Sequence, residues 1–326
     1  MKTALKRILK RIFIFIVIAF IVYLVVSNIS FFRDLTRRDK LSLIIDTDSA
    51  HGQDDIMAIV RFLLEEEVVL EGLLSAQWRP ADLDNDSTVE LNQAVNQYIL
   101  KHFNRTSVPN LPGAAWPVMS IKNRDRTSNR DRTSNRASSY IIKRASETPA
   151  GEKLNLVCLG PVTNLATALI TVPDIAPKIN CYIMGPWYEP SRRVWNKNEW
   201  NTKNDLDAMD ILLNTKDLEL YIMPATIGHD LVIDRSQSLS KFPLRDSLFD
   251  NIVESWKALD LRNDSIPMGS LALIQAILHP EMSSQKQVIT PPENVQRKIH
   301  VFTRIDAERM KKDLWKAIKD YSKTKR

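Results

Sequence analysis

Apolar and polar positions along the chain alternate between short unbroken apolar runs and segments with helical spacing. "LSLIID" (41–46) reads as a buried strand, Asp54 to Leu64 as a helix, "VVLEGLLSA" (68–76) as a strand and Ser87 to His102 as a long helix. After an irregular stretch the alternation resumes. "LNLVCLG" (154–160) predicts a strand, Val162 to Ile170 a helix, "CYIMG" (181–185) a strand, Asp205 to Asn214 a helix and "LELYIMP" (218–224) a strand. Strands alternating with helices predict an α/β fold with a mostly parallel open sheet flanked by helices, whose ligands sit at the C-terminal ends of the strands.

Two segments break this pattern. In "MKTALKRILKRIFIFIVIAFIVYLVVSNISFF", Ile12 to Val26 is uninterruptedly apolar and the run through Phe32 extends it. That is close to the about 20 residues that span a bilayer as a helix. Val25-Val26-Ser27 is a poor cleavage site and no A-x-A follows, so an uncleaved anchor (residues 1–40, span about 12–32) is favoured over a signal peptide. A short tail inside and the body outside is the usual arrangement for such an anchor, which makes the chain a single-pass membrane protein with an extracytoplasmic body. The second segment, "NRDRTSNRDRTSNR" (123–136), repeats a hexamer and has no apolar residue. It predicts a solvated loop inserted into the 41–326 domain.

The anchor also explains the charge. The chain of 326 residues has a net charge of +6, which would suit a nucleic-acid partner. Residues 1–40 hold nine Lys/Arg against Asp34 and Asp39, so the body itself is close to neutral and nucleic acid is excluded as its partner. The apolar content of 44% supports a substantial core. Cys158 and Cys181 both lie in strand-like apolar runs and read as buried free thiols. The sequence leaves a homo-oligomer open.

The candidate chemistry is concentrated in "LIIDTDSAHGQDDIMAIV" (43–60), with four aspartates in ten positions. Asp46 and Asp48 end the first strand while Asp54 and Asp55 start the next helix, so all four can converge on one sheet edge. Carboxylates so close repel one another unless a cation compensates them. In that number, without a His/Cys cluster, they suit Ca²⁺ with Mg²⁺ as the alternative. Trp116, Trp187, Trp195 and Trp200 fall in or beside the remaining pocket segments. Core packing is their default, though Trp187 and Trp195, in "GPWYEPSRRVWNKNEW", could stack on a base.

"DTDSAHGQDD" resembles the aspartate motif of the inosine/uridine-preferring nucleoside hydrolases. Three further stretches match that family in the same order: "VPNLPGAAWPV" (108–118), "LNLVCLGPVTNLATAL" (154–169) and "NEWNTKNDLDAMDILLN" (198–214). The resemblance covers about residues 41 to 285. It implies that Asp48 and Asp55 bind Ca²⁺ together with the backbone carbonyl of Thr163. It also implies that Asp54 holds the ribose hydroxyls, that Glu199 and Asn201 grip the sugar from the other side, and that Asp48 is the base activating a metal-bound water. The implied substrate is a nucleoside or related riboside.

Three departures accompany the resemblance. The spacing from Asp48 to Asp54 is two residues longer than in the best-known members. A ribose-contacting Asn is replaced in "SAQWRPAD" by Trp78 or Arg79. A late His-Asp pair, which supplies a leaving-group acid and a metal ligand, aligns with Gly269-Ser270. A site without that acid favours substrates whose leaving group needs no protonation. Asp264 could substitute by another route, and His229 in "ATIGHDLVID" is a second candidate whose default is structural packing. The alternative function is a catalytically impaired, membrane-tethered protein that binds or senses ribosides.

Overall fold

β1 (Leu41–Thr47) buries Leu43, Ile44 and Ile45 completely. A run that is apolar on both faces can persist only as an inner strand covered above and below, and this governs the architecture around it. The computed structural model describes residues 40–78, 88–118, 135–259 and 264–324. After β1 come α1 (Gln53–Leu63), β2 (Val68–Ser75), α2 (Thr88–His102), β3 (Asn110–Pro112), α3 (Arg136–Glu147), β4 (Leu154–Cys158) and α4 (Thr163–Thr171). They are followed by β5 (Ile179–Gly185), the hairpin β6 (Trp187–Glu189) and β7 (Val194–Asn196), α5 (Trp200–Asn204), α6 (Leu206–Asn214), β8 (Glu219–Pro224) and α7 (Ala225–Gly228). The last part holds β9 (Val232–Asp234), α8 (Arg235–Ser238), α9 (Ser247–Ala258), β10 (Ser265–Pro267), α10 (Gly269–Leu278), β11 (Ser283–Ile289), β12 (Lys298–Ile305) and α11 (Ala307–Thr324).

Eight strands form one sheet in the order β11-β12-β8-β5-β4-β1-β2-β3. The pairs β1–β4, β2–β3, β4–β5, β5–β8 and β8–β12 are parallel, and β11–β12 is antiparallel. The expected α/β architecture with a mostly parallel sheet is thus present. From β1 the chain moves to β2 and β3 on one side and then returns through β4 to the other. The order therefore reverses between β1 and β4, and a crevice opens at their C-terminal ends, where ligands of such sheets bind. The two strands are locked there by Asp46 against Cys158 in register and by the Leu159 N–H donating to the Asp46 carbonyl at 2.8 Å.

Two helices bring their N-termini to this edge. α1 places Asp54 and Asp55 in its first turn, where the helix dipole favours negative charge. α10 packs against α1 and is buried from Gly269 to Ala276. Beneath them Leu156, Val157, Ile183, Ile222 and Val301 line the interior of the sheet. Cys158 and Cys181 are buried free thiols, as expected.

Most predicted elements stand within two residues of their expected bounds. The expected loop 123–136 requires one correction: Asn135 is the N-cap of α3 and Arg136 its first residue. Asn135 caps that helix, its Oδ1 accepting from the Ser138 N–H at 2.8 Å while the Ser138 hydroxyl accepts from the Asn135 N–H at 3.2 Å. The rest of the repeat lies outside the described residues, as does the expected span at 12–32. Among the described residues no helix is long and apolar enough to cross a membrane.

Candidate active site

The crevice at the β1–β4 switch opens into a cavity of about 310 Å³ lined by Asp48, Asp54, Asp55, Glu199 and Asn201 with His51, Trp187, Trp200 and His229 among the others. Five of the sequence-predicted residues are therefore brought together. Asp46 is the aspartate that does not join them. Its carboxylate is fully buried, held by the Asn164 Nδ2 at 3.0 and 3.2 Å, and burial pushes its pKa up to about 7. It fastens the switch point and does not face the cavity.

Asp48 and Asp55 are 4% and 2% exposed. Asp48 Oδ2 is buried with no hydrogen-bond partner among the described residues. Burial, then the charges of Asp55 and Asp54, hold the Asp48 carboxyl well above the ordinary aspartate range. Asp55 accepts from the Thr47 hydroxyl and bonds the Ser270 side chain, yet burial with Asp54 nearby still pushes it up to about 7. Asp54 Oδ2 accepts from the Ser270 N–H at 3.0 Å, the first turn of α10 thereby orienting the first turn of α1.

Touching buried carboxyls with an orphaned oxygen make a donor set that a hard divalent cation fits, since it would supply the charge compensation the protein lacks. Among the described residues no three acidic, histidine or cysteine side chains form a complete ligand group, so such an ion would need carbonyl or water oxygens as well. Thr163, expected to lend its carbonyl, does not line the cavity. That carbonyl accepts from the Thr167 hydroxyl at 2.8 Å, and the Thr163 hydroxyl donates to Asp205 Oδ2 at 2.7 Å. Thr163 opens α4, whose first turn also takes this carbonyl for the Thr167 N–H, so both its lone pairs are engaged.

The opposite wall is built by the turn into α5. Glu199 caps that helix, accepting from the N–H groups of Asn201 and Thr202, each at 2.9 Å, and from the Thr202 hydroxyl. Asn201 Nδ2 donates to the carbonyls of Leu159 at 2.6 Å and Met184 at 3.3 Å, which ties α5 to the ends of β4 and β5. Its amide oxygen has no hydrogen-bond partner among the described residues. Burial raises the Glu199 pKa above the ordinary value, against the lowering by these N–H bonds.

His51 is a lining residue that the sequence did not single out. Its ring stacks on Trp200 at 4.2 Å and 8°, and leans on Trp78 at 4.8 Å and 39°. The signal was the longer Asp48–Asp54 spacing, for His51 sits in that turn with its N–H bonded to the Asp48 carbonyl. Trp78 itself does not line the cavity and acts on it through His51. Arg79 lies outside the described residues. Of the four tryptophans, Trp187 and Trp200 reach the cavity. Trp195 packs on Tyr188 and donates to the Ile289 carbonyl, so the expectation that it stacks on a base is corrected.

The two candidates for a substitute acid part company here. Asp264 is partly exposed, accepts from Ser236 and Arg235, whose bonds hold its pKa down to about 2, and is absent from the cavity. His229 is on the cavity wall, edge-on to Trp187 at 5.3 Å. Gly269 and Ser270 start α10 beside it.

A family profile described as inosine-uridine preferring nucleoside hydrolase matches residues 43–312. An uncharacterized Schizosaccharomyces pombe protein is 29% identical over 85 residues, a stretch spanning 26% of this chain and 26% of that protein. Among solved structures, a plant nucleoside hydrolase is similar at 18% identity and TM-score 0.64, over 85% of this chain and 98% of that one. A purine-preferring ribonucleoside hydrolase from Gardnerella vaginalis matches at 17% identity and TM-score 0.64, over 87% and 99%. An inosine-uridine preferring nucleoside hydrolase from Bacillus anthracis matches at 17% and 0.59, over 86% and 99%. At these identities the structures speak for the fold.

Proposed function

This chain belongs to the inosine-uridine preferring nucleoside hydrolase family, and from that premise we propose that it is a Ca²⁺-dependent hydrolase of the N-glycosidic bond of a nucleoside or related riboside. The observation that carries the reading is the orphaned Asp48 oxygen beside Asp55, in a cavity that also presents Asp54, Glu199 and Asn201.

In this reading Asp48 and Asp55 would hold the cation, with water oxygens filling its remaining positions, and Asp54, Glu199 and Asn201 would hold the sugar. The cation, when bound, makes a neighbouring water more acidic. Asp48 accepts that water's proton as the water oxygen attacks the anomeric carbon. Asp54 and the other carboxylates favour the positive charge that develops on the sugar. The stacked pair His51 and Trp200 closes the cavity wall. The apolar run 12–32 is proposed as a single-pass anchor that leaves this body outside the cytoplasm.

A riboside-binding protein without turnover is the second reading, favoured by Ser270 standing where a carboxylate and its neighbouring acid would strengthen the site. The full chain incubated with a nucleoside panel and Ca²⁺ separates the two. Release of reducing sugar that stops on chelation and in Asp48→Asn supports the hydrolase, and ribose binding without release supports the second reading.

A further inference from the structure

We propose that His229 protonates the departing base. This assignment rests on the hydrolase reading and adds to it the group that completes the reaction.

The topology selects His229 over His51. His229 follows β8, which β5 and β4 separate from β1, so at about 4.8 Å per strand the chain enters the cavity about 14 Å from the strand that carries Asp48. In a displacement at the anomeric carbon, water and leaving nitrogen occupy opposite sides of that carbon. The donor must therefore come from the side away from Asp48. His51 shares a turn with Asp48 and is stacked into the wall by Trp200.

The ring of His229 is also free to act. It meets Trp187 edge-on at 86°, and its nitrogens have no hydrogen-bond partner among the described residues. Room for it comes from Gly269, where an added Cβ would lie 3.2 Å from His229 Cδ2 and 2.6 Å from Met184 Cε. The glycine at the start of α10 is what allows the imidazole to lie against that helix.

The charged and titratable groups around it are Asp54 from α1, the adjacent Asp230, and Asp48, His51, Asp55 and Glu199 in the same cavity, while α10 and the β6–β7 hairpin present no ionisable side chain to the cavity. Burial lowers the His229 pKa below its ordinary value, and Asp54 and Asp230 partly restore it. The donor is the imidazolium, so its contribution is present at acidic pH and is lost as pH rises through that lowered pKa.

The step balances. The water oxygen bonds to the anomeric carbon, the carbon–nitrogen bond breaks with its electron pair on the base, and the His229 proton goes to that nitrogen. Asp48 takes the water proton and returns it to solvent, from which His229 is reprotonated. The net reaction consumes one water.

The test compares the full chain with His229→Gln and His51→Gln on inosine and on 4-nitrophenyl riboside, whose phenolate leaves without a proton. His229→Gln should lower kcat on inosine by about 10²-fold or more, change the nitrophenyl substrate by less than about threefold, and remove the alkaline limb of kcat/KM for inosine. Equal losses on both substrates, no loss on inosine, or the leaving-group-dependent loss appearing in His51→Gln would each overturn the assignment. Native protein that cleaves only the nitrophenyl substrate would also overturn it while the hydrolase reading stands. Native protein that cleaves neither would overturn both.

Discussion

Gly160 lies so close beneath Asp48 that a Cβ built on it would stand 2.5 Å from Oδ1 and 3.0 Å from the Asp48 backbone nitrogen. The turn that ends β4 is therefore a mould for the carboxylate at the end of β1. Gly160→Ala should push Asp48 out of place and weaken Ca²⁺ binding by more than about tenfold, while Asp48→Ala and Asp55→Ala each abolish it by removing a hard oxygen ligand. Isothermal calorimetry on the three variants checks this, and unchanged affinity would refute the cation assignment.

Asp46 and Asp55 have folded-state pKa values of about 7 against an ordinary 3.8, chiefly through burial. Between those values the folded chain holds protons that the unfolded chain has released, so stability is fullest below 3.8 and declines as pH rises to about 7. The chelated protein should melt at a higher temperature near pH 5 than near pH 8, down to the onset of acid denaturation. Adding Ca²⁺ should raise the melting temperature at pH 8 much more than at pH 5, because at pH 5 protons compete for Asp55. Recovery at pH 8 should stay incomplete, since Asp46 is turned away from the cavity towards Asn164. Equal Ca²⁺ shifts at the two pH values would show that these carboxyls are not the binding groups.

Much of this arrangement was legible in the sequence because its carriers are local. An apolar run ending in Asp-x-Asp, followed by a helix that opens with Asp-Asp, places Asp48, Asp54 and Asp55 at one strand edge whatever the rest of the chain does. What escaped was set by distant partners. Asp46 carries the same side chain as Asp48 but is claimed by Asn164, 118 residues on, and only the register of β1 with β4 reveals that. His51 reads as a turn residue until Trp78 and Trp200 are known to close around it. No element after residue 224 was assigned, and three of its strands show why: β9 and β10 are three residues long and β11 is largely exposed, so no clean apolar run marks them.

The polar repeat divides at its end. Deleting residues 123–134 removes no apolar side chain, and loop closure changes cost little, so the melting temperature should move by no more than a few degrees. Deleting 123–136 also takes the Asn135 cap of α3, and should lower stability by about a further 1 kcal/mol in chemical denaturation. Equal stability of the two deletions would show that the cap contributes nothing.

Glu199 carries two duties that substitution can separate. Both its carboxylate oxygens are engaged in capping α5, and it also faces the cavity. Glu199→Ala should lower stability by about 1–2 kcal/mol through loss of the cap. If it also grips the sugar, KM for inosine should rise well beyond what that loosening explains. Thr202→Ala provides the comparison, for Thr202 bonds Glu199 through its hydroxyl but does not line the cavity. It should reproduce part of the stability loss and leave KM unchanged. A rise in KM as large in Thr202→Ala as in Glu199→Ala would mean that Glu199 serves the sugar only by holding the turn in place.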